Sequence, residues 1–455
     1  MQFNSIEFLF YFLPVFMVVY TFIPQRARST VLVLGSLAYY AFASSGNYWW
    51  LLLLGGFTVL AYLAGLSMVK NGKAGLLWLY LACLAAVLVF FKVYAGGRYL
   101  PSGMSFYLFQ IAAYLIDVYK SRDDAKQGPK ETFGCAVEKN FFSFASQIVM
   151  FPKLLSGPLM NPAELSKQHI NAQVNGSNVR SGLQMLILGL GFKVLLANRI
   201  GSLWAEAGIT GYDSVSVPFA WLALIAYSMQ LYFDFYGYSL MAMGLGKMMG
   251  YDLPRNFDSP YASKTVSEFY RRWHMTLGRW FRDYLYIPLG GNRNGTIRTV
   301  FNLAIVWLFT GLWHGVGGNY LIWAGFLFFL IANERLWFGK LMKRSRVICH
   351  IYVVFVILLS WVPFAVGGWT DMVCFLGRLF GVSGSTVTQL DFVYKGMEYL
   401  PMLVAGVVFA TPAPRKHWEK IRDTFAADLI ILGLFWVVVY YISTAAQDPF
   451  MYFQY

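Results

Sequence analysis

Apolar runs of about membrane-spanning length recur along nearly the whole of this chain. Lipid offers no partners to backbone N–H and C=O groups, so a spanning segment must be a helix or belong to a closed barrel. These runs are continuous rather than alternating, which excludes barrel strands. The candidates are residues 6–23, 30–44, 48–69, 75–95, 103–119, 181–200, 215–235, 299–313, 317–338, 347–366, 395–411 and 425–446. They amount to about ten to twelve membrane-embedded helices, several short enough to call for tilt or re-entry. Only 13% of the 455 residues are charged and 58% are hydrophobic, whereas an average soluble domain is about 25% charged. The reading is an all-α polytopic membrane protein. Neither a long linker nor an internal repeat is evident, so residues 1–455 read as one membrane domain, and Ile6 to Ile23 as a retained first helix.

The net charge of +14, from 36 Lys and Arg against 22 Asp and Glu, would suggest nucleic acid in a soluble chain. Here the cations lie in loops between apolar helices, so membrane lipids are the expected partners and nucleic acid is not. Arg26 and Arg28 follow the first run, a neutral loop follows the second, and Lys70 and Lys73 follow the third. That alternation places both termini outside and the basic loops in the cytoplasm. The tail, residues 447–455, is then exposed on the external face. The segment FFSFASQIVMFPKLLSGPLM (Phe141 to Met160) holds two prolines and a glycine in an apolar context, and reads as broken or re-entrant. Residues 161–178 and 251–298 are the most polar and should hold short surface helices. Cys83, Cys135, Cys349 and Cys374 lack metal spacing and read as packing residues, Cys83 as a buried one. The histidines form no ligating pattern, so no metal is expected.

Two of those histidines stand out. His314 interrupts FNLAIVWLFTGLWHGVGGNYLIWAGFLFF (Phe301 to Phe329), a run without Asp, Glu, Lys or Arg. An ionisable side chain there costs several kcal/mol unless it faces the protein interior or water, which makes it a functional candidate. His274 lies in KTVSEFYRRWHMTLGRWFRDYLY, where Phe269, Trp273, Leu277, Trp280, Phe281 and Tyr284 form one apolar stripe at helical spacing. Arg271, Arg272, Arg279 and Arg282 occupy other faces, and Arg293 follows in the LGGNR turn. An interfacial helix among anionic headgroups has this pattern. A sharper alternative is that these arginines hold the phosphates of an acyl donor such as coenzyme A or a phosphopantetheine arm.

Phe269 to Arg293, FYRRWHMTLGRWFRDYLYIPLGGNR, resembles the signature of the membrane-bound O-acyltransferase family. Its LYIPLGGNR ending is similar to the branch with alginate and peptidoglycan O-acetyltransferases. GLWHG (Gly311 to Gly315), FPKLLSGPL (Phe151 to Leu159), SFYLFQ (Ser105 to Gln110) and QLYFDFYGYS (Gln230 to Ser239) match in the expected order. The family's FDFSGYSDMA stands here as FDFYGYSLMA, with Tyr236 and Leu240 in place of a hydroxyl and a carboxylate, and its PxGISFY as PSGMSFY.

The resemblance implies a multi-helix bundle with a cytoplasmic and an extracytoplasmic funnel meeting near the buried histidine. An acyl group would pass from acetyl-CoA, or another acyl thioester, to a hydroxyl outside. No metal cofactor is implied. His314 corresponds to the catalytic histidine and His274 to the second one. A separate extracytoplasmic serine-hydrolase-like protein would complete transfer to a polysaccharide. The tail DPFMYFQY is similar to a PFxYxxF-type motif in which Tyr452 would relay the acyl group; an aromatic interface anchor explains it as well.

Chemically, acyl transfer to a hydroxyl needs a proton acceptor, and imidazole, with an unperturbed pKa near ~6.5, suits the task. The oxyanion needs a donor, for which His274, Asn302 and Trp313 are the candidates. Asp234 and Asp283 could orient a histidine or pair with arginine, and pairing is the expectation, since buried carboxylates usually have a basic partner. The expected function is O-acetylation of an exported or cell-wall polysaccharide from the bacterial inner membrane. The alternatives are acylation of teichoic acid or a protein, and, in another class, a secondary transporter or flippase. Transporters often carry inverted repeats and paired midplane charges, neither of which is clear in this sequence.

Overall fold

In a computed structural model, residues 1–44, 46–71, 73–94, 100–125, 138, 140–338, 345–382, 390–444 and 450–451 are described. All regular structure among them is helical. Each apolar run of the sequence falls on a helix. Eight described helices are long and apolar enough to cross a membrane: Tyr48–Lys70, Ala74–Tyr94, Gly176–Thr210, Gly295–His314, Gly318–Phe338, Arg346–Ala365, Leu390–Ala410 and Phe425–Thr444. That is fewer than the ten to twelve expected. Glu7–Phe22 is short, as is Arg28–Ala43 with 16 residues. Met104–Ala125 trails into a charged end, and polar and aromatic residues dilute Val217–Met248. Cys83, expected to be buried, is exposed on its apolar helix; in a membrane protein such a surface meets lipid.

The chain divides into two compact units: residues 1–190, 238–255 and 439–455, and residues 191–237 with 256–438. The core of the first is a cluster of rings. Phe3 lies 5.1 Å from Tyr238 and stacks on it, while Phe8, Tyr39 and Phe151 close in at 4.9, 5.4 and 6.3 Å from Phe3. The segment expected to be broken is broken. Phe141–Val149 stops at Met150, Phe151–Leu154 adds one turn, and the backbone then leaves the helix. Every residue from 143 to 160 is buried, so protein rather than lipid surrounds this irregular stretch. Phe450 is 1% exposed and packs edge-on against Tyr238 at 4.8 Å. The external exposure expected of the tail is therefore corrected at Phe450, because an aromatic core was available to take its ring. Tyr452 lies outside the described residues.

The second unit contains the histidines. Gly295–His314 and Gly318–Phe338 pack side by side, joined by the turn Gly315 to Gly317. Gly311 permits this approach, since a Cβ there would meet the Ala324 Cβ at 2.9 Å. Inside Gly176–Thr210, residues Phe192–Ala197 form a π turn, a local widening common at functional sites. It carries Lys193, whose ammonium lies 2.5 Å from the Asp234 carboxylate, both side chains 1% exposed. Asp234 thus has a basic partner, a lysine where an arginine was expected, and the paired buried charge not evident in the sequence exists. Glu334, 6% exposed, accepts from the backbone N–H groups of Val266 and Ser267 at 2.6 and 3.0 Å. Thr265 accepts from Glu268 N at 2.9 Å, so three otherwise orphaned donors that open Val266–Arg272 are satisfied.

Candidate active site

The apolar stripe from Lys264 predicts one continuous helix, and the structure corrects this. Val266–Arg272 ends at Trp273, which is extended, and His274 adopts the left-handed conformation at φ 44° and ψ 51° before Met275–Phe281 begins. A left-handed side-chain-bearing residue costs about 1–3 kcal/mol and persists only where its surroundings over-determine it. Among the described residues only Ser259 and His274 are of this kind. Asn256 supplies much of the constraint. Its carbonyl accepts from Met275 N at 2.9 Å, and its side-chain oxygen accepts from Thr276 N at 3.3 Å and Thr276 Oγ1 at 2.9 Å. Asp258 N donates to the Arg272 carbonyl at 3.0 Å on the other side of the break.

The same Asn256 oxygen lies 3.0 Å from His274 Nδ1. An oxygen that already accepts from Thr276 requires Nδ1 to be the donor, which leaves the lone pair on Nε2. The ring is 4% exposed, with Phe235 edge-on at 4.7 Å. Burial pushes its pKa down to about 3, so the imidazole is neutral at physiological pH. The unfolded chain binds this proton near pH ~6.5 and the folded chain resists it. Stability should therefore fall as pH drops below that value, toward about 3. A His274→Asn variant should flatten this part of the profile of thermal midpoint against pH; an unchanged profile would show that the coupling lies elsewhere.

His314 closes the helix Gly295–His314 and is 6% exposed. Trp313, Trp323 and Phe364 meet its ring nearly perpendicularly at 4.8, 4.9 and 5.2 Å. Gly315 keeps the exit close, because a Cβ there would clash with the ring of Tyr320. Trp313 also lies 6.0 Å from His274. The two histidines, separate in sequence, both lie near one indole. The surrounding wall is aromatic, with Trp361 5.2 Å from Trp273 and 5.8 Å from Phe364.

The other candidates are placed differently. Asn302 donates through Nδ2 to the carbonyls of Leu289 at 3.2 Å and Gly291 at 2.9 Å, which holds the LGGNR turn. Asp283 pairs with Arg282 at 2.7 Å, as expected for a carboxylate beside arginines. Arg272 reaches Glu268 at 2.7 Å and the Asp258 carbonyl at 3.3 Å. Arg271 and Arg293 are exposed, and Arg279 is half-buried. Asn256, Phe235, Trp323 and Phe364 were not singled out in the sequence. Nothing in their spacing points to a histidine, although Asn256 stands in the polar stretch that precedes His274.

Two buried imidazoles thus lie near one indole in a chain of membrane-spanning helices. The sequence profile of the membrane-bound O-acyltransferase family matches residues 72–362, and the chain belongs to that family as a multi-pass O-acyltransferase. Over its full length it is 30% identical to all of the probable alginate O-acetylase AlgI of Pseudomonas putida. It is 29% identical to the peptidoglycan O-acetyltransferase of Helicobacter pylori, over 100% of this chain and 97% of that one. A shorter match, 27% identical over 39% of this chain and 47% of the other, is to the teichoic acid D-alanyltransferase of Bacillus subtilis.

Proposed function

We propose that the protein takes an acetyl group from a cytoplasmic thioester, coenzyme A or a carrier, and passes it to a hydroxyl outside the bacterial inner membrane. The end product is an O-acetylated exported or cell-wall polysaccharide, made with an extracytoplasmic serine-hydrolase-like partner. The observation that carries this reading is the pair of buried histidines about Trp313, in a chain similar throughout to alginate and peptidoglycan O-acetylating proteins.

His314 acts as the base. It removes the acceptor's hydroxyl proton as the oxygen attacks the thioester carbonyl, then returns the proton to the sulfur as the C–S bond breaks. Of the three oxyanion donors considered, Trp313 fits best. The Asn302 amide hydrogens go to Leu289 and Gly291, and His274 donates through Nδ1 to Asn256. His274 then packs against Trp313 and presents a lone pair at Nε2. The arginines Arg271, Arg272, Arg279, Arg282 and Arg293 steer the donor's phosphates toward a cytoplasmic funnel, and Tyr452 relays the acyl group in the outer one.

Proteoliposomes supplied with labelled acetyl-CoA on one face test the reading. Free coenzyme A thiol and label on a hydroxyl acceptor are expected together, with label on the C-terminal peptide at Tyr452 by mass spectrometry. Uptake of a solute without thioester cleavage would make the protein a transporter instead. Labelling from a D-alanyl carrier alone would favour the teichoic acid chemistry suggested by the shorter match.

A further inference from the structure

Ser259 and His274, the two left-handed residues that carry a side chain among those described, belong to segments that run side by side. Asp258 N donates to the Arg272 carbonyl at 3.0 Å, and Met275 N donates to the Asn256 carbonyl at 2.9 Å. The Asn256 side-chain oxygen lies 3.0 Å from His274 Nδ1. The helix break at residues 272–275 is therefore only as well placed as residues 256–258 are. Strained turns of this kind persist only where their surroundings over-determine them. One of the constraints comes from a helix 157 residues away in the chain.

Pro412–Ile421 is a short helix between the spanning helices Leu390–Ala410 and Phe425–Thr444, and none of its residues is buried. From it Arg415 Nη1 donates to the Asp258 carboxylate at 2.6 Å, with Glu419 a looser partner at 3.9 Å. Asp258 is held at its main chain as well. Arg272 Nη1 donates to its carbonyl at 3.3 Å, while Arg272 Nη2 pairs with Glu268 at 2.7 Å. The Arg415 and Asp258 side chains are 26% and 39% exposed. An ion pair that water reaches adds little to stability. Its worth lies in orientation, which a planar guanidinium fork fixes better than a point charge does. Phe257, between Asn256 and Asp258, packs against Tyr232, Phe235 and Trp273 at 5.7, 5.0 and 5.1 Å. That packing buries the segment, but apolar burial has no direction and does not turn the neighbouring carboxamide toward a nitrogen.

We infer that Arg415 is a positioning residue for His274: it clamps Asp258, which keeps the Asn256 oxygen on Nδ1 and so fixes which ring nitrogen is left to meet the reacting groups. Arg415 touches neither the imidazole nor the substrate and acts through two intervening residues. The inference rests on the acyl-transfer reading only in its last step, the use of His274 by the reaction. The clamp itself is a statement about the ring.

Nitrogen NMR of the full-length protein in lipid nanodiscs, with isotopically labelled histidine, tests the clamp at neutral pH. The His274→Asn spectrum identifies the His274 signals. In the wild type Nδ1 should carry the proton and Nε2 should be bare. In Arg415→Ala the ratio of this tautomer to the other should fall about two- to tenfold, the range that one lost neutral hydrogen bond allows. Arg415→Lys, which keeps the charge without the fork, should lie between them. Should Arg415→Ala fail to fold, Arg415→Gln, which keeps part of the stem and drops the charge, takes its place with the same expected signals. Coenzyme A release from acetyl-CoA by the same preparations should show a lower kcat at unchanged KM. A raised KM at unchanged kcat would make Arg415 a ligand of the donor's phosphates and overturn the positioning role. Wild-type ring signals in the variant would overturn it too, leaving the packing of Phe257 as sufficient support. A wild type that releases no coenzyme A would defeat the acyl-transfer reading instead, and the ring signals would still decide the clamp.

Discussion

His314→Ala should lower acyl transfer by about 10²–10⁴, the usual worth of a positioned general base, while the protein still accumulates in membranes and melts near the wild-type temperature. The reason for the second half of that expectation is structural. The ring of His314 touches Trp313, Trp323 and Phe364, but Trp323 and Phe364 also hold each other and Trp361, so that part of the aromatic wall survives the truncation. Initial rates of coenzyme A release and surface O-acetyl content, measured with melting curves on one preparation, separate the two effects. A variant that keeps wild-type rates would remove His314 from the chemistry. His274→Ala is a different experiment, because it removes the ring's Nδ1 contact with Asn256 while a Cβ stays in the left-handed backbone at residue 274. Its rate loss should be smaller, and Asn256→Ala should reproduce part of it.

The second large effect concerns stability. Asp234→Ala leaves the Lys193 ammonium buried without its carboxylate, and breaking a buried pair from one side costs about 3–5 kcal/mol. That is a large fraction of the stability of most domains, so the single variant should accumulate poorly and unfold at markedly lower denaturant. Replacing both partners, Lys193→Met with Asp234→Leu, removes the charges together and should restore most of the loss. Chemical denaturation of the wild type, both single variants and the double variant completes a mutant cycle. If the double variant is no more stable than the single ones, the pair is not what holds these two helices. If it is stable but inactive, the pair serves the reaction through Phe235, the residue after Asp234, whose ring lies 4.7 Å from His274.

The helices themselves were legible because lipid removes the alternatives: a long apolar run that must satisfy its own backbone has one common solution. His314 stood out for a related reason, since a titratable ring in such a run has few structural excuses, whereas His274 stood out by its basic-aromatic setting. The motif resemblance led to the same family that the profile later showed across residues 72–362. Local pattern failed at His274. Helical periodicity from Phe269 to Tyr284 is real, yet a helix break leaves no mark on spacing when both halves keep their apolar faces inward. Phe269, Trp273, Leu277 and Phe281 are all buried, as a single stripe would also require.

What the residues determined by themselves is the environment: helices in lipid, a buried imidazole, cations in the loops. Those are one-body properties, set by the transfer of each group between water and an apolar medium. Which groups meet was decided by the tertiary structure alone. The Asn256 contact that sets the His274 tautomer, the approach of the Trp313 indole to His274 and the carboxylate for Lys193 all join residues distant in the chain. A pairwise contact of that kind depends on how helices pack, which no periodicity within one segment records.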